Sequence, residues 1–264
     1  MPDLHLPADW EAALARAEAA RRVLVLGPTD AGKSSFIRAL LGRRPDWPVL
    51  DLDPGQKMVG WPGTASLGHL DPTPRLDRFV WLGSTAVGSF NRLAAAGAAL
   101  AGEGPFVANT PGYVRGPGAR LQAIIAAALA PDLVVAIDPP PELMSLAHVA
   151  LARSPEARRK SPSTRRAVRQ ASFEAALARA MSLPKPALIE PLRPAPFVDD
   201  ARPVCCLADE SGEDRVLGIL LGDHLLAPPP PRPPTILRLG AMWAEPEGEG
   251  WRLLDKLRPA WEPA

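Results

Sequence analysis

The stretch VLVLGPTDAGKSS carries G-x-x-x-x-G-K-S from Gly27 to Ser34, directly after an apolar run and directly before a helical pattern. That spacing in that context is what a phosphate-binding loop requires. The loop opens at Gly27, and the backbone N–H groups of Thr29, Asp30, Ala31, Gly32, Lys33 and Ser34 are expected to curl around β-phosphate oxygens, with Ser35 completing the set. The positive end of the following helix adds to the cradle. Lys33 is expected to reach the β- and γ-phosphates and Ser34 to ligate Mg²⁺.

Where the phosphoryl group goes depends on other residues. VLDLDPGQ puts Asp51 and Asp53 at the carboxyl end of the next apolar run, where open α/β sheets place their ligands. Strand alternation predicts that the two point to the same side, so that at least one faces the γ-phosphate and metal. Asp53 is then either a base for an attacking hydroxyl or a metal ligand alone. Asp138, after LVVAI, is a rival acidic strand end, but the prolines that follow it favour a structural turn. Lys160, Arg165 and Arg169 stand five and four residues apart, which predicts one helix face for the arginines. Carried over a phosphate site they form a cationic lid that neutralises charge on a transferring phosphoryl group; a solvated charged face is the plain alternative. Finally, NTPGYVRGPG, Asn109 to Gly118, sets the chain's only tyrosine among glycines and prolines. It is either a strand-to-helix turn or a loop offering Tyr113 as a stacking face.

Several elements must position these groups. Short apolar runs at Val23–Leu26, Val49–Leu52, Phe79–Leu82, Phe106–Ala108 and Leu133–Ile137 alternate with helical patterns at Lys33–Arg44, Ser89–Ala101 and Ala119–Ala130. An N-terminal helix over Trp10–Arg22, with Asp9 as its cap, precedes them. The alternation predicts an α/β fold with a mostly parallel, doubly wound sheet. A helical run is expected over Glu142–Ala152, then an arginine-bearing lid over about 153–181 whose helix runs through Met181. The division expected is a phosphate-binding core with lid, residues 1–182, and a proline-rich connector with a small β appendage, residues 183–264, packed together as one domain. Within the appendage, PPPPRPP reads as a rigid loop between strands or a polyproline ligand.

Composition narrows the function classes. A net charge of +1 over 264 residues gives no broad basic surface, so nucleic-acid contact must be local. Cys205 and Cys206 are adjacent, unsuited to pairing with each other, and fit a reducing cytoplasm. No apolar stretch is long enough to cross a bilayer, so no membrane partner is expected.

Taken together, GPTDAGKSS, DLDPGQ, NTPGYVRGPG and KSPSTRRAVR resemble, in order and spacing, the polynucleotide 5′-hydroxyl kinases, the family that includes the kinase of eukaryotic pre-mRNA cleavage and tRNA splicing. The likeness spans Val23 to Phe173 and is faint over Val204–Trp243. It implies transfer of the γ-phosphate of ATP to the free 5′-OH of single-stranded RNA or DNA, with Mg²⁺. By position it makes Asp53 the general base, Gln56 a polar neighbour, and Lys160, Arg165 and Arg169 the lid cations. Thr110, Gly112 and Tyr113 fall on the clasp for the terminal nucleotides, Tyr113 standing where tryptophan is usual; Arg115 beside them either meets a backbone phosphate or faces solvent. Lysine at 160 offers a point charge where some members present a bidentate arginine. Only a short helix precedes Val23, in place of the β domain that helps grip the base in eukaryotic members. That departure implies a pared-down kinase core that accepts GTP and other NTPs. Protein partners are not indicated, and a monomer is the default. The rival readings are a nucleoside monophosphate or small-metabolite kinase, and a nucleotide-dependent switch or assembly ATPase.

Overall fold

In a computed structural model describing residues 7–70, 73–154, 157–192 and 201–254, the chain begins with helix α1 (Ala8–Ala19), strand β1 (Arg22–Leu26) and helix α2 (Lys33–Arg43). Strands β2 (Val49–Asp51), β3 (Thr64–His69) and β4 (Arg75–Trp81) follow, then α3 (Phe90–Ala101), β5 (Phe106–Asn109), α4 (Pro117–Leu129), β6 (Leu133–Ile137) and β7 (Val149–Leu151). These strands make one sheet in the order β4-β3-β2-β5-β1-β6-β7, parallel from β2 to β7 and antiparallel at the β3 and β4 edge.

The alternation of β1 explains its central place. Val23 and Val25 pack into one core with Trp10, Leu14, Phe36 and Leu40 of α1 and α2. Leu24 and Leu26 pack on the other face with Leu93, Leu121 and Ile125 of α3 and α4. Burial on that scale, ~1.5–3 kcal/mol for each large side chain, holds the end of β1 firmly under the phosphate-binding loop.

The cationic helix is α5 (Pro162–Ala176), capped by Ser161, whose hydroxyl accepts the N–H of Thr164. Beyond it lie β8 (Met181–Pro184), β9 (Leu188–Pro191), β10 (Arg202–Ala208), β11 (Asp214–Leu221), β12 (His224–Ala227), β13 (Ile236–Glu247) and β14 (Gly250–Leu253). They form a second, largely antiparallel sheet in the order β14-β13-β10-β11-β12-β8, with β9 added in parallel to β13. Phe79 and Trp81 of β4 share a core with Val204, Cys206, Leu217 and Met242 of this second sheet. Asp214 completes the joint, one oxygen accepting the Trp81 N–H and the other an arginine N–H from Arg238.

The lid helix is attached to the second sheet along its C-terminal half. Phe173 and Ala176 are buried in the shared core. Gln170 donates to the Trp251 carbonyl at 2.7 Å and accepts the Leu253 N–H at 2.9 Å, so its amide caps β14 as a neighbouring strand would.

Several expectations are corrected. The run 142–152 is no helix: three prolines pass into a 3₁₀ turn at Pro141–Leu143, and Val149–Leu151 then pairs with Val135–Ile137. The lid helix ends at Ala176, because 181–184 is drawn into the second sheet against β12. Asp9 lies in the first turn of α1, and Pro7 takes the cap position. The appendage is a seven-stranded sheet, with β9 inside the expected connector and β8 straddling the expected boundary at 182/183; residues 193–200 of that connector, and 155–156 of the expected lid, lie outside the described residues. PPPPRPP is a loop between β12 and β13. No helix among the described residues is long and apolar enough to cross a membrane.

Candidate active site

The phosphate-binding loop runs from the end of β1 into α2. Gly32 caps the helix with φ of 111°, a left-handed conformation that a side chain would strain. Lys33 is buried at the helix start, its ammonium donating to the carbonyls of Gly27 and Pro28 at 2.8 and 2.9 Å. Burial pushes its pKa down to about 8, against the opposing pull of Asp53 and Asp30. The ammonium keeps its charge at neutral pH but is poorly solvated, so a phosphate placed beside it would be welcome.

A cavity of about 540 Å³ opens over this loop. Its walls include Thr29, Asp30, Gly32, Lys33, Ser34, Ser35, Asp53, Gln56, Gly112, Tyr113, Lys160 and Arg165, so the three sequence blocks and the lid converge on one space. Asp53 Oδ1 accepts the N–H groups of Gly55 and Gln56 at 2.9 and 3.0 Å. Burial, then the nearby Asp51 carboxylate, raises its pKa above the ordinary aspartate value.

Asp51 does not share this role. β2 stops at Asp51, so alternation does not extend to Asp53, and the Asp51 side chain turns under the loop. It is fully buried and accepts from Asn109 Nδ2 (2.9 Å) and from the N–H groups of Asp53, Met58 and Val59. Lys57 supplies its countercharge at 3.6 Å while donating to the carbonyls of Asp51 and Thr64. Burial lowers the Lys57 pKa. Asp51 thus shapes the loop that presents Asp53.

The clasp is built on a close approach. A Cβ on Gly112 would lie 2.2 Å from Thr29 Oγ1 and 2.5 Å from Thr29 N, so only glycine lets the two loops touch. Gln122, fully buried on α4, donates to the carbonyls of Pro111 and Tyr113 at 3.0 Å each and fixes the loop from behind. Tyr113 stands 44% exposed with its ring edge-on to Phe90. Thr110 corrects the clasp expectation. Its side chain is fully buried and donates to the Val25 carbonyl, a bond between β1 and the end of β5 that keeps it off the cavity wall.

On the lid side, Arg165 pairs with Asp30 at 2.5 Å, and Lys160 gives its backbone N–H to the same carboxylate at 3.0 Å. Gln56 donates to the Arg165 carbonyl at 3.4 Å. Arg169 is placed apart: it lines a cleft with Arg252 and Leu253 of the second sheet rather than the cavity. Ala31 is buried within the loop, and Gly27 packs against the end of β6. Arg115 lines an adjoining cavity of about 630 Å³ together with Tyr113, Arg153, Arg159, Lys160 and Arg165. Asp138 is exposed in a left-handed turn and lies outside both cavities.

Sequence reasoning missed Arg38, Lys57 and Arg158 on the cavity wall, and Gln122 behind it. Gln122 alone left a signal, as the single polar residue of the apolar run LQAIIAAALA.

Mg²⁺ suits the donor set. Ser34 is exposed to the cavity, and among the described residues Asp53 Oδ2 accepts no hydrogen bond. Two hard oxygens with space for phosphates and water are what this ion takes at NTP sites. Among the described residues no cluster of three or more His, Cys, Asp or Glu side chains is arranged to hold a metal.

The family model for the mRNA cleavage and polyadenylation factor CLP1 P-loop matches residues 27–179. Polyribonucleotide 5′-hydroxyl-kinase Clp1 of Danio rerio is 33% identical over 148 residues, covering 44% of this chain and 32% of that protein. The Homo sapiens protein of the same name is 31% identical over 145 residues, covering 44% and 34%. The aligned stretch spans about a third of the length of these curated relatives. A solved structure of wild-type Clp1p with Pcf11p superposes with a TM-score of 0.68 at 12% identity, covering 89% of this chain and 79% of that one. At that identity the likeness concerns the fold. With the family match extending over more than half of its length, from the phosphate-binding loop to the end of the lid, this chain belongs to the CLP1 P-loop family.

Proposed function

We propose that this protein is a polynucleotide 5′-hydroxyl kinase that moves the γ-phosphate of ATP onto the 5′-OH of single-stranded RNA. The observation that carries the reading is the convergence of Lys33, Ser34, Asp53, Tyr113, Lys160 and Arg165 on one cavity. An exposed aromatic ring beside the phosphate site suits an acceptor with a base to stack, and a small acceptor calls for an enclosed pocket rather than two adjoining open ones. The names of the relatives support RNA as the acceptor.

In this reading the loop N–H groups and Lys33 hold the triphosphate, and Lys33 leaves the Gly27 and Pro28 carbonyls to do so. Asp53 accepts the proton of the 5′-hydroxyl, a task its raised pKa fits. Ser34 and Asp53 would also hold Mg²⁺, which would supply neutralisation of the triphosphate's negative charge. Arg165 and Lys160 face the transferring group, Gln56 braces the Asp53 loop against the lid, and Tyr113 stacks on the terminal base. Arg115 meets the next phosphates of the strand from the adjoining cavity. GTP and other NTPs are accepted with kcat/KM within about 100-fold of ATP, or ~2.7 kcal/mol.

The deciding experiment offers γ-labelled ATP and Mg²⁺ to matched oligonucleotides ending in 5′-OH or 5′-phosphate. Label on 5′-OH ends alone, with RNA preferred to DNA, is expected. Persistent hydrolysis with no labelled polymer would reject the reading in favour of a switch or a small acceptor.

A further inference from the structure

Asp30 is out of place electrostatically. It puts a carboxylate into a loop whose N–H groups and neighbouring Lys33 are arranged for an anion, and such a charge opposes the triphosphate unless a cation meets it. The cation is Arg165, 2.5 Å away, in a pair whose side chains are only 9% and 22% exposed. The same oxygen, Asp30 Oδ2, accepts the Lys160 N–H at 3.0 Å. Arg165 Nε in turn donates to the Lys160 carbonyl at 3.3 Å, closing a three-membered network at the start of the lid. Asp30 stands in the left-handed region, with φ of 60°, and it lies on the rim shared by the two cavities.

Resting on the kinase reading, we infer that Asp30 is a positioning residue that latches the front of the lid to the phosphate-binding loop and aims Arg165 at the boundary between donor and acceptor spaces. One carboxylate fixes both a backbone group and a guanidinium, so lid placement and loop formation become a single event. A partly buried, charge-assisted network of this kind can set geometry in a way that an exposed pair cannot.

The test compares Asp30→Asn, Arg165→Ala and the double variant in the full chain. Asparagine tolerates the left-handed backbone, so loop shape survives while the charge is lost. Asp30→Asn is expected to lower kcat about tenfold or more, and the double variant to be no slower than Arg165→Ala alone, as for residues acting through one another. The Kd for a non-hydrolysable ATP analogue should stay the same or tighten, because a negative charge has left the rim. A structural defect would weaken it instead. Trypsin cutting after Arg158, Arg159 and Lys160 should accelerate in Asp30→Asn and in Arg165→Ala, with no further gain in the double.

Multiplying kcat losses in the double variant, weaker analogue binding in Asp30→Asn, or an unchanged cutting rate would each overturn the latch. The cutting assay needs no acceptor. A chain that labels no 5′-OH end yet shows Asp30-dependent protection would reject the kinase reading and leave the latch standing.

Discussion

Charges are buried at both ends of this molecule, but their surroundings differ. In the C-terminal sheet Asp209 meets Arg215 at 2.6 Å, and Asp214 and Glu190 share Arg238, so every one of these carboxylates faces an arginine. At the carboxyl end of the parallel sheet, burial instead drives Lys33 and Lys57 down and Asp53 up. Arrangements that fully pair their charges serve the fold. Arrangements that leave them strained toward neutrality are the ones a ligand can relieve, which is how perturbed groups mark a working site.

The sharpest way to test that contrast is Asp53→Asn. Transfer is expected to fall by ~10²–10⁴-fold, the usual weight of a general base, with the unfolding midpoint and triphosphate Kd nearly unchanged. Loss of binding as well would place Asp53 on the metal alone. In the opposite region, Asp214→Asn keeps one acceptor oxygen for two donors, the Trp81 N–H and Arg238, while Glu190 still meets the guanidinium, and should cost about 1–3 kcal/mol in urea unfolding, with kcat per folded molecule retained. A stable variant with impaired transfer would erase the distinction between the two regions.

Tyr113→Ala should raise the acceptor KM by the equivalent of ~1–3 kcal/mol, the range for one base stacked on an aromatic ring. An unchanged KM would return the tyrosine to packing against Phe90. The smallest effect is with pH. Phosphates favour the Lys33 ammonium, so binding takes up a proton near its pKa of about 8. Triphosphate affinity should be level below that value and decline by up to roughly tenfold per pH unit above it. Lys33→Arg, which stays charged, should flatten the decline.

The phosphate-binding loop was legible because its chemistry is local: Gly27 to Ser34 are contiguous and their roles follow from backbone geometry. Asp53 was legible as a type but inseparable from Asp51, because the end of β2 depends on pairing with β3 and β5, which leaves little trace in two residues of sequence. The structural bond of Thr110 left no sequence signal because its partner, the Val25 carbonyl, is brought up by a parallel neighbour 85 positions away. Lys57 and Gln122 act through distant backbone carbonyls in the same way. Arg169 was separated from Arg165 by β14, which takes up that part of the helix face. The second sheet was underestimated because β8 and β9 are short, proline-bounded and exposed, and only pairing with β12 and β13 makes them strands.

The clamp that Gln170 places on β14 makes the lid helix a lever. Its fulcrum is the buried Phe173 and the Gln170 amide, and its forward arm runs to the Ser161 cap, beside the contacts of Lys160 and Arg165 with Asp30. At 1.5 Å per residue that arm is about 18 Å long, so a tilt of a few degrees at the fulcrum displaces Lys160 by an ångström or more while Arg165 moves less. Anything that loads the far sheet at β14 therefore has a mechanical route to the phosphate site without touching it.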